Sequence, residues 1–220
     1  MDKLKNVSTW VFDLDNTLYD SKFRLMEAMS QKIMDFIINK FGMSENDAYA
    51  LRNKYWKQYG LTMNGLMIDY NINPQEYLKE IHDIDISHVP PCKTTIEQLK
   101  NINGRKLIFT NSSSDFAERM LKQLGINDQF ETIFSIEDSN FIPKPKIESY
   151  HTAIKKLGFD PKTSCMFEDT AMNLEPAAQL GMTTVWIQGE QACEKGNHPY
   201  IHHKSEKLSD WLEKTFGNKD

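Results

Sequence analysis

Two aspartates one residue apart, followed by a threonine, are the first arrangement in this chain with the means to do chemistry: Asp13-Leu14-Asp15-Asn16-Thr17. Carboxylates leaving a short apolar run in this way can face one cation and one substrate. They are hard oxygen ligands suited to Mg²⁺, which also keeps waters and phosphate oxygens in its octahedron. One carboxylate of such a pair can attack phosphorus while its neighbour protonates the departing oxygen. A solvated turn also favours Asp, Asn and Thr, so the pentapeptide is weighed together with three further clusters. Thr110-Asn111-Ser112 offers hydroxyls and backbone N–H groups that could hold a phosphate near a helix N-terminus, or simply cap that helix. Lys144 stands between Pro143 and Pro145, and the two rings stiffen the loop that carries its ammonium. Glu168-Asp169-Thr170, with Asn173 close behind, brings another carboxylate pair to where a cation shared with Asp13 needs one.

These side chains must be positioned by regular elements, and the pattern supplies them. Val7 to Leu14 is short, apolar and β-rich, as a buried parallel strand is. From about Ser21 to Ile84 the spacing turns helical, with Leu25, Met29, Ile33, Phe36 and Ile37 on one stripe. Gly60 and Asn73-Pro74 mark helix boundaries there. Strands and helices then alternate. Strands are expected at 105–110, 130–136, 164–167 and 183–187, with helices over 93–101, 115–124, 148–157 and 173–180. Lys195 to His203 reads as loop and Leu208 to Phe216 as a terminal helix. The expected fold is α/β: a doubly wound parallel sheet built from residues 1–20 and 86–220, with an all-helical insertion over 21–85. In such a sheet ligands gather at the carboxyl ends of the strands, and all four clusters fall there or in the loop that follows.

Composition narrows the partners. The formal net charge is −5 over 220 residues, so there is no basic excess to neutralise a nucleic-acid backbone. A small anionic substrate remains compatible, because a metal and a few local cations can reverse the field in one cleft. Cys92, Cys165 and Cys193 are odd in number and lack metal-type spacing, which fits reduced thiols. No apolar run reaches membrane-spanning length, and no signal peptide is evident at the N-terminus. The expectation is a cytoplasmic monomer or homodimer that contacts neither membrane nor nucleic-acid polymer.

Taken in order, the four clusters resemble the motifs of the haloacid dehalogenase-like hydrolases, along the whole chain. The resemblance implies Asp13 as nucleophile and Asp15 as general acid and base. It implies Thr110 and Lys144 on the transferring phosphoryl group, with Thr17 and Asn111 among the phosphate-binding residues. Mg²⁺ is the implied cofactor, ligated by Asp13, by the backbone carbonyl of Asp15 and by Asp169, with Glu168 or Asn173 assisting. The helical insertion corresponds to the family's mobile cap. An acid at position 15 favours the phosphatases, since the dehalogenases proper need no proton donor there.

Finer features are similar to the pyrimidine 5′-nucleotidases: Asp13 to Tyr19, Phe109-Thr110-Asn111, Phe141-x-Pro143-Lys144-Pro145, and Phe167 to Leu174. Tyr59 to Thr62, Gly65-Leu66 and His82 to Asp85 are similar as well, while Thr170 departs from a more usual Ser. This implies a nucleoside 5′-monophosphate substrate, with UMP or CMP preferred. Tyr19 is expected to face the active site. Arg52, Tyr55, Trp56 and Tyr59 share one helix face and either stack on a base or pack the insertion's own core. A phosphatase for sugar phosphates or phosphoglycolate, a phosphomutase, or a non-catalytic binding protein on the same fold are the alternatives.

Overall fold

The structure, a computed structural model, describes residues 2–189 and 198–217. Cys193 and the start of the 195–203 stretch lie outside the described residues. The chain divides into two compact units, one formed by Met1–Phe23 with Ser87–Asp220 and the other by Arg24–Ile86.

The first unit is built on six strands: β1 (Thr9–Phe12), β2 (Arg105–Phe109), β3 (Thr132–Phe134), β4 (Ser164–Glu168), β5 (Thr183–Ile187) and β6 (His203–Ser205). They form one sheet in the order β3-β2-β1-β4-β5-β6, and every pairing is parallel. Its helices are α5 (Lys93–Asn101), α6 (Ser114–Gln123), α7 (Ile147–Leu157), α8 (Ala171–Gln179) and α9 (Leu208–Phe216), the numbers α1 to α4 belonging to the other unit. The four central strands are apolar because both faces of a parallel sheet are covered. On one face Val11, Leu107, Met166 and Trp186 pack with Tyr150, Ala153, Leu174 and Ala177 of α7 and α8. On the other, Phe12 stacks on Phe167 with ring centroids 4.5 Å apart, and Trp211 of α9 meets Phe167 edge-on at 4.9 Å.

The chain runs outward from β1 through β2 to β3 and then returns to lay β4 on the other side of β1. The seam between β1 and β4 is therefore the topological switch point, where a crevice opens beyond the carboxyl ends of the strands. Phe12 pairs with Phe167 across it, and Asp13 N–H donates to the Phe167 carbonyl at 3.0 Å.

The loop expected over Lys195 to His203 is corrected at its end: His203 opens β6, paired in register with Val185. This edge strand is three residues long and polar, His203-Lys204-Ser205, so it has no apolar alternation. Its strand character comes from pairing with β5.

The second unit holds four helices: α1 (Leu25–Phe41), α2 (Glu45–Tyr59), α3 (Thr62–Tyr70) and α4 (Pro74–Ile81). Their ends follow local chemistry. Gly42 takes φ 66° after α1, and Gly60 takes φ 84° after α2, a region open to glycine at little cost. Ser44 caps α2 by accepting from Asp47 N–H, and Asn73 caps α4 by accepting from Gln75 and Glu76 N–H, with Pro74 in the first turn. The interior is apolar: Leu25, Met29, Phe36, Ile37, Leu66 and Tyr77 are all buried.

Between the two units the polypeptide crosses twice, and both crossings are pinned on the α/β side. His88 Nε2 donates to the Phe23 carbonyl at 3.2 Å, and the Gln123 amide donates to the Ser87 and Val89 carbonyls at 3.2 and 2.8 Å. Among the described residues no helix is long and apolar enough to cross a membrane.

Candidate active site

Three strand ends bring charged and hydroxyl groups together at the switch point. Asp13 and Asp15 follow β1, Thr110 to Ser112 follow β2, Glu168 ends β4 and Asp169 follows it. Lys144, in the loop before α7, is 2% exposed. Its ammonium donates to Asp13 Oδ1 at 2.6 Å, to Glu168 Oε1 at 2.8 Å and to the Phe109 carbonyl at 2.8 Å. All three of its N–H bonds therefore have protein acceptors.

That ammonium is itself held from behind. The Asn111 amide accepts from Lys144 N–H at 2.8 Å and donates to the Lys144 carbonyl at 3.2 Å. Asn111, expected on phosphate, is thus turned onto the Lys144 backbone. Thr17, also expected on phosphate, donates its hydroxyl to Asp13 Oδ2 at 3.1 Å, so each Asp13 oxygen has one donor. Thr110 is fully buried, and its hydroxyl oxygen accepts Ser112 N–H at 2.9 Å. That arrangement leaves its O–H hydrogen to donate elsewhere.

Asp15 has a separate set of partners. Tyr19 O–H donates to Oδ1 and Ser112 Oγ donates to Oδ2 at 2.6 Å. Burial, then the charge of Asp15, push the Tyr19 phenol well above its ordinary value, so this group stays a donor. Glu168 accepts from Asn173 at 2.6 Å and from Thr170 N–H at 2.7 Å besides Lys144. Asp169 accepts from Asn16 at 3.2 Å and from the Thr170 hydroxyl at 3.1 Å. The Asp169 carbonyl accepts from the Trp186 indole at 2.7 Å, and the Asn173 carbonyl accepts from the Tyr150 hydroxyl.

Four carboxylates facing one ammonium carry more negative charge than Lys144 balances. Burial, reinforced by Glu168 and only partly opposed by Lys144, pushes Asp13 up to about 8. Burial first, then Glu168 and Asp13, push Asp169 well above the usual carboxylate range. Asp15 is raised by burial against the hydrogen bonds from Ser112 and Tyr19. Burial works to lower Lys144, but Asp13 and Glu168 outweigh it and hold its value up. Such a cluster is chemically fitted to a hard divalent cation. Asp13, Glu168 and Asp169 each offer a carboxylate oxygen, all within 4.8 Å of one another. The Asp15 carboxylate is outside that group.

Several residues here have no strong sequence signal. Ser112 sits in the expected Thr110 cluster, but its pairing with Asp15 spans 97 positions in sequence. Trp186 and Tyr150 look like ordinary core aromatics until the fold brings them under the acidic loop. In the helical unit the expected aromatic face splits. Tyr55 is 1% exposed, its hydroxyl donates to Asp69, and it packs on Gly65, where a β-carbon would stand 2.1 Å from the ring. Trp56 is 60% exposed. Tyr59 is half-buried, its ring centroid 5.9 Å from that of Tyr55, while the half-buried Arg52 donates to Asn53 at 3.2 Å.

A sequence model described as "Hydrolase: haloacid dehalogenase-like hydrolase" matches residues 7–181. The chain is similar to Phosphate metabolism protein 8 of Saccharomyces cerevisiae, 28% identical over 187 residues, which are 78% of this chain and 58% of that protein. It thus spans less than two thirds of that relative's length. It is also similar to pyrophosphatase PpaX of Bacillus velezensis, 26% identical over 213 residues, with 94% of this chain and 96% of that one covered. Among solved structures, the HAD-hydrolase YfnB of Bacillus subtilis, bound to magnesium and described as revealing interdomain movement, shares the fold with TM-score 0.64 at 16% identity, covering 96% of this chain and 99% of that one. With the family match running from the strand before Asp13 to the helix after Asp169, the chain belongs to the haloacid dehalogenase-like hydrolases.

Proposed function

We propose that the chain is a Mg²⁺-dependent phosphomonoester hydrolase that works through an aspartyl-phosphate. The observation that carries this is Asp15: a second carboxylate, two residues from Asp13, with its own hydroxyl partners and a raised proton affinity. Expelling a halide from carbon needs no proton, whereas expelling an alkoxide from phosphorus does.

In the proposed cycle an Asp13 carboxylate oxygen attacks phosphorus, the P–O ester bond breaks, and Asp15 gives its proton to the departing oxygen. Asp15 then takes a proton from water as the water oxygen attacks the phosphoryl group and the Asp13–phosphorus bond breaks, releasing inorganic phosphate and restoring the Asp13 carboxylate and the protonated Asp15. Asp13, Asp169 and the Asp15 carbonyl would hold the cation, with Glu168 the next carboxylate. When bound, a divalent cation supplies charge neutralisation at the phosphoryl oxygens. Lys144, with its donors all engaged, acts by its field and by keeping Asp13 aimed. Thr110 is the hydroxyl best disposed to meet a phosphoryl oxygen.

The substrate we propose is a pyrimidine nucleoside 5′-monophosphate, on the strength of the Asp13 to Tyr19 and Phe141 to Pro145 motifs. The helical unit would act as the cap that selects it, with Trp56 an exposed aromatic available to a base. A second reading, inorganic pyrophosphate, is favoured by the near full-length similarity to PpaX. Phosphate release from UMP, CMP, AMP, a sugar phosphate and pyrophosphate, with and without Mg²⁺, tests all of these. A preference for UMP and CMP supports the nucleotide reading and a preference for pyrophosphate replaces it. Absence of Mg²⁺-dependent release from every phosphate ester and from pyrophosphate overturns the phosphatase reading.

A further inference from the structure

The proton donor of the proposed reaction is a carboxyl on a short stem, and the terminal torsion of an aspartate is broad unless something fixes it. Two hydroxyls fix this one from different segments. Tyr19 reaches Asp15 Oδ1 from four residues ahead, because the turn after β1 is wound: Thr17 and Leu18 N–H both donate to the Leu14 carbonyl, at 3.3 and 3.0 Å. Ser112 reaches Oδ2 at 2.6 Å from the end of β2. Its own backbone is tied at both ends, its N–H donating to Thr110 Oγ1 at 2.9 Å and its carbonyl accepting Ile136 N–H at 3.2 Å. Tyr19 and Ser112 are each 5% exposed, so bulk water does not readily take their place.

Resting on the reading of Asp15 as proton donor, we propose that Tyr19 and Ser112 are positioning residues that clamp the Asp15 carboxyl, so that the departure of strongly basic leaving groups depends on both hydroxyls. Each carboxylate oxygen has two acceptor positions. The hydroxyls occupy one on each oxygen, which sets the carboxyl plane and leaves the other position for the proton in transfer. Asp13 is served by a different pair, Thr17 and Lys144, so the attacking and protonating carboxyls are aimed independently. Loss of the clamp therefore leaves attack in place and impairs protonation.

The distinguishing measurement is the dependence on leaving group. The kcat/KM value reports steps up to transfer of the phosphoryl group onto the enzyme. An alkyl phosphate such as UMP or glycerol phosphate must have its leaving alkoxide protonated, whereas p-nitrophenolate departs without help. Both substrates are assayed with the Mg²⁺-loaded full chain for wild type, Asp15→Asn, Tyr19→Phe, Ser112→Ala and Ser112→Thr. Asp15→Asn is expected to lose about 10²–10⁴-fold on the alkyl phosphate and far less on p-nitrophenyl phosphate. Tyr19→Phe and Ser112→Ala are each expected to lose about tenfold on the alkyl phosphate, with a several-fold smaller loss on the aryl one. Ser112→Thr keeps a hydroxyl and is expected to recover the alkyl rate. Equal losses on both substrates in Tyr19→Phe and Ser112→Ala, while Asp15→Asn remains selective, overturn the clamp and leave the phosphatase reading standing. Equal losses in Asp15→Asn, or a wild type inactive on both esters, overturn the reading and the clamp with it.

Discussion

Both units bury an apolar core, but the α/β unit also encloses a cluster of charges. At the switch point of the α/β unit, Lys144, Asp13 and Glu168 are almost wholly enclosed and every ammonium hydrogen is donated. The helical unit instead encloses Leu25, Phe36, Ile37, Tyr55 and Leu66, and leaves Tyr49, Trp56 and Ile68 in the open. Burying like charges costs stability, since each loses hydration and one ammonium cannot repay four carboxylates. Burying apolar surface contributes stability. The α/β unit thus gives up folding free energy for reactivity at one place. The helical unit uses ordinary packing to present aromatic surface. On the proposed function, that difference separates chemistry from selection.

The sharpest way to break this comparison is at Asp13. Asp13→Asn removes the proposed nucleophile and one member of the repelling cluster. It should lower phosphate release by about 10⁴-fold or more while leaving the fold intact by circular dichroism. Retention of most of the Mg²⁺-dependent activity would falsify the nucleophile assignment.

In the helical unit the comparable injury is to packing. A methyl group on Gly65 collides with the buried Tyr55 ring, so Gly65→Ala is expected to destabilise the protein by about 3 kcal/mol in urea denaturation. Unchanged stability would mean that this interior is looser than its burial indicates.

Metal and pH should act on the α/β unit. Asp13 is raised from 3.8 to about 8 in the chain without metal. A raised carboxyl favours the folded state fully below its unfolded value, and that contribution is lost as pH climbs to the folded value. In EDTA the thermal midpoint should therefore fall between about pH 4 and pH 8. Mg²⁺ should flatten the fall and raise the midpoint by several degrees at pH 8. A midpoint indifferent to Mg²⁺ at pH 8 contradicts the proposed cation site.

The smallest effect is expected at Trp56. Trp56→Ala should change stability by about 0.5 kcal/mol or less, yet shift the preference between UMP and pyrophosphate. Equal loss on both substrates removes Trp56 from selection.

How much of this was legible beforehand follows from what each feature depends on. The strands carrying Asp13, Thr110 and Glu168 are apolar runs with punctuated ends, so both element and cluster could be read from local sequence. Gly60 and Asn73-Pro74 marked helix ends for the same local reason. β6 could not be read, because a short polar edge strand exists only through its neighbour. Nor could spacing along α2 tell Tyr55 from Trp56, since which neighbouring residue turns inward is set by Gly65 and Asp69 on another helix. The family resemblance implies phosphate contacts for Asn111 and Thr17. Asn111 meets the Lys144 backbone only through the tertiary fold, whereas Thr17 meets the Asp13 carboxylate locally, within the turn after β1.

The pinned crossings at Phe23 and Ser87 have an evolutionary consequence. His88 and Gln123 secure the exit and return of the chain by contacts made within the α/β unit itself. Residues 24–86 form one continuous stretch that leaves and re-enters the α/β unit at these two points. Such a segment can lengthen, shrink or be exchanged by recombination without moving a strand end. One hydrolytic engine can in this way be refitted for new substrates by replacing a single continuous stretch of gene.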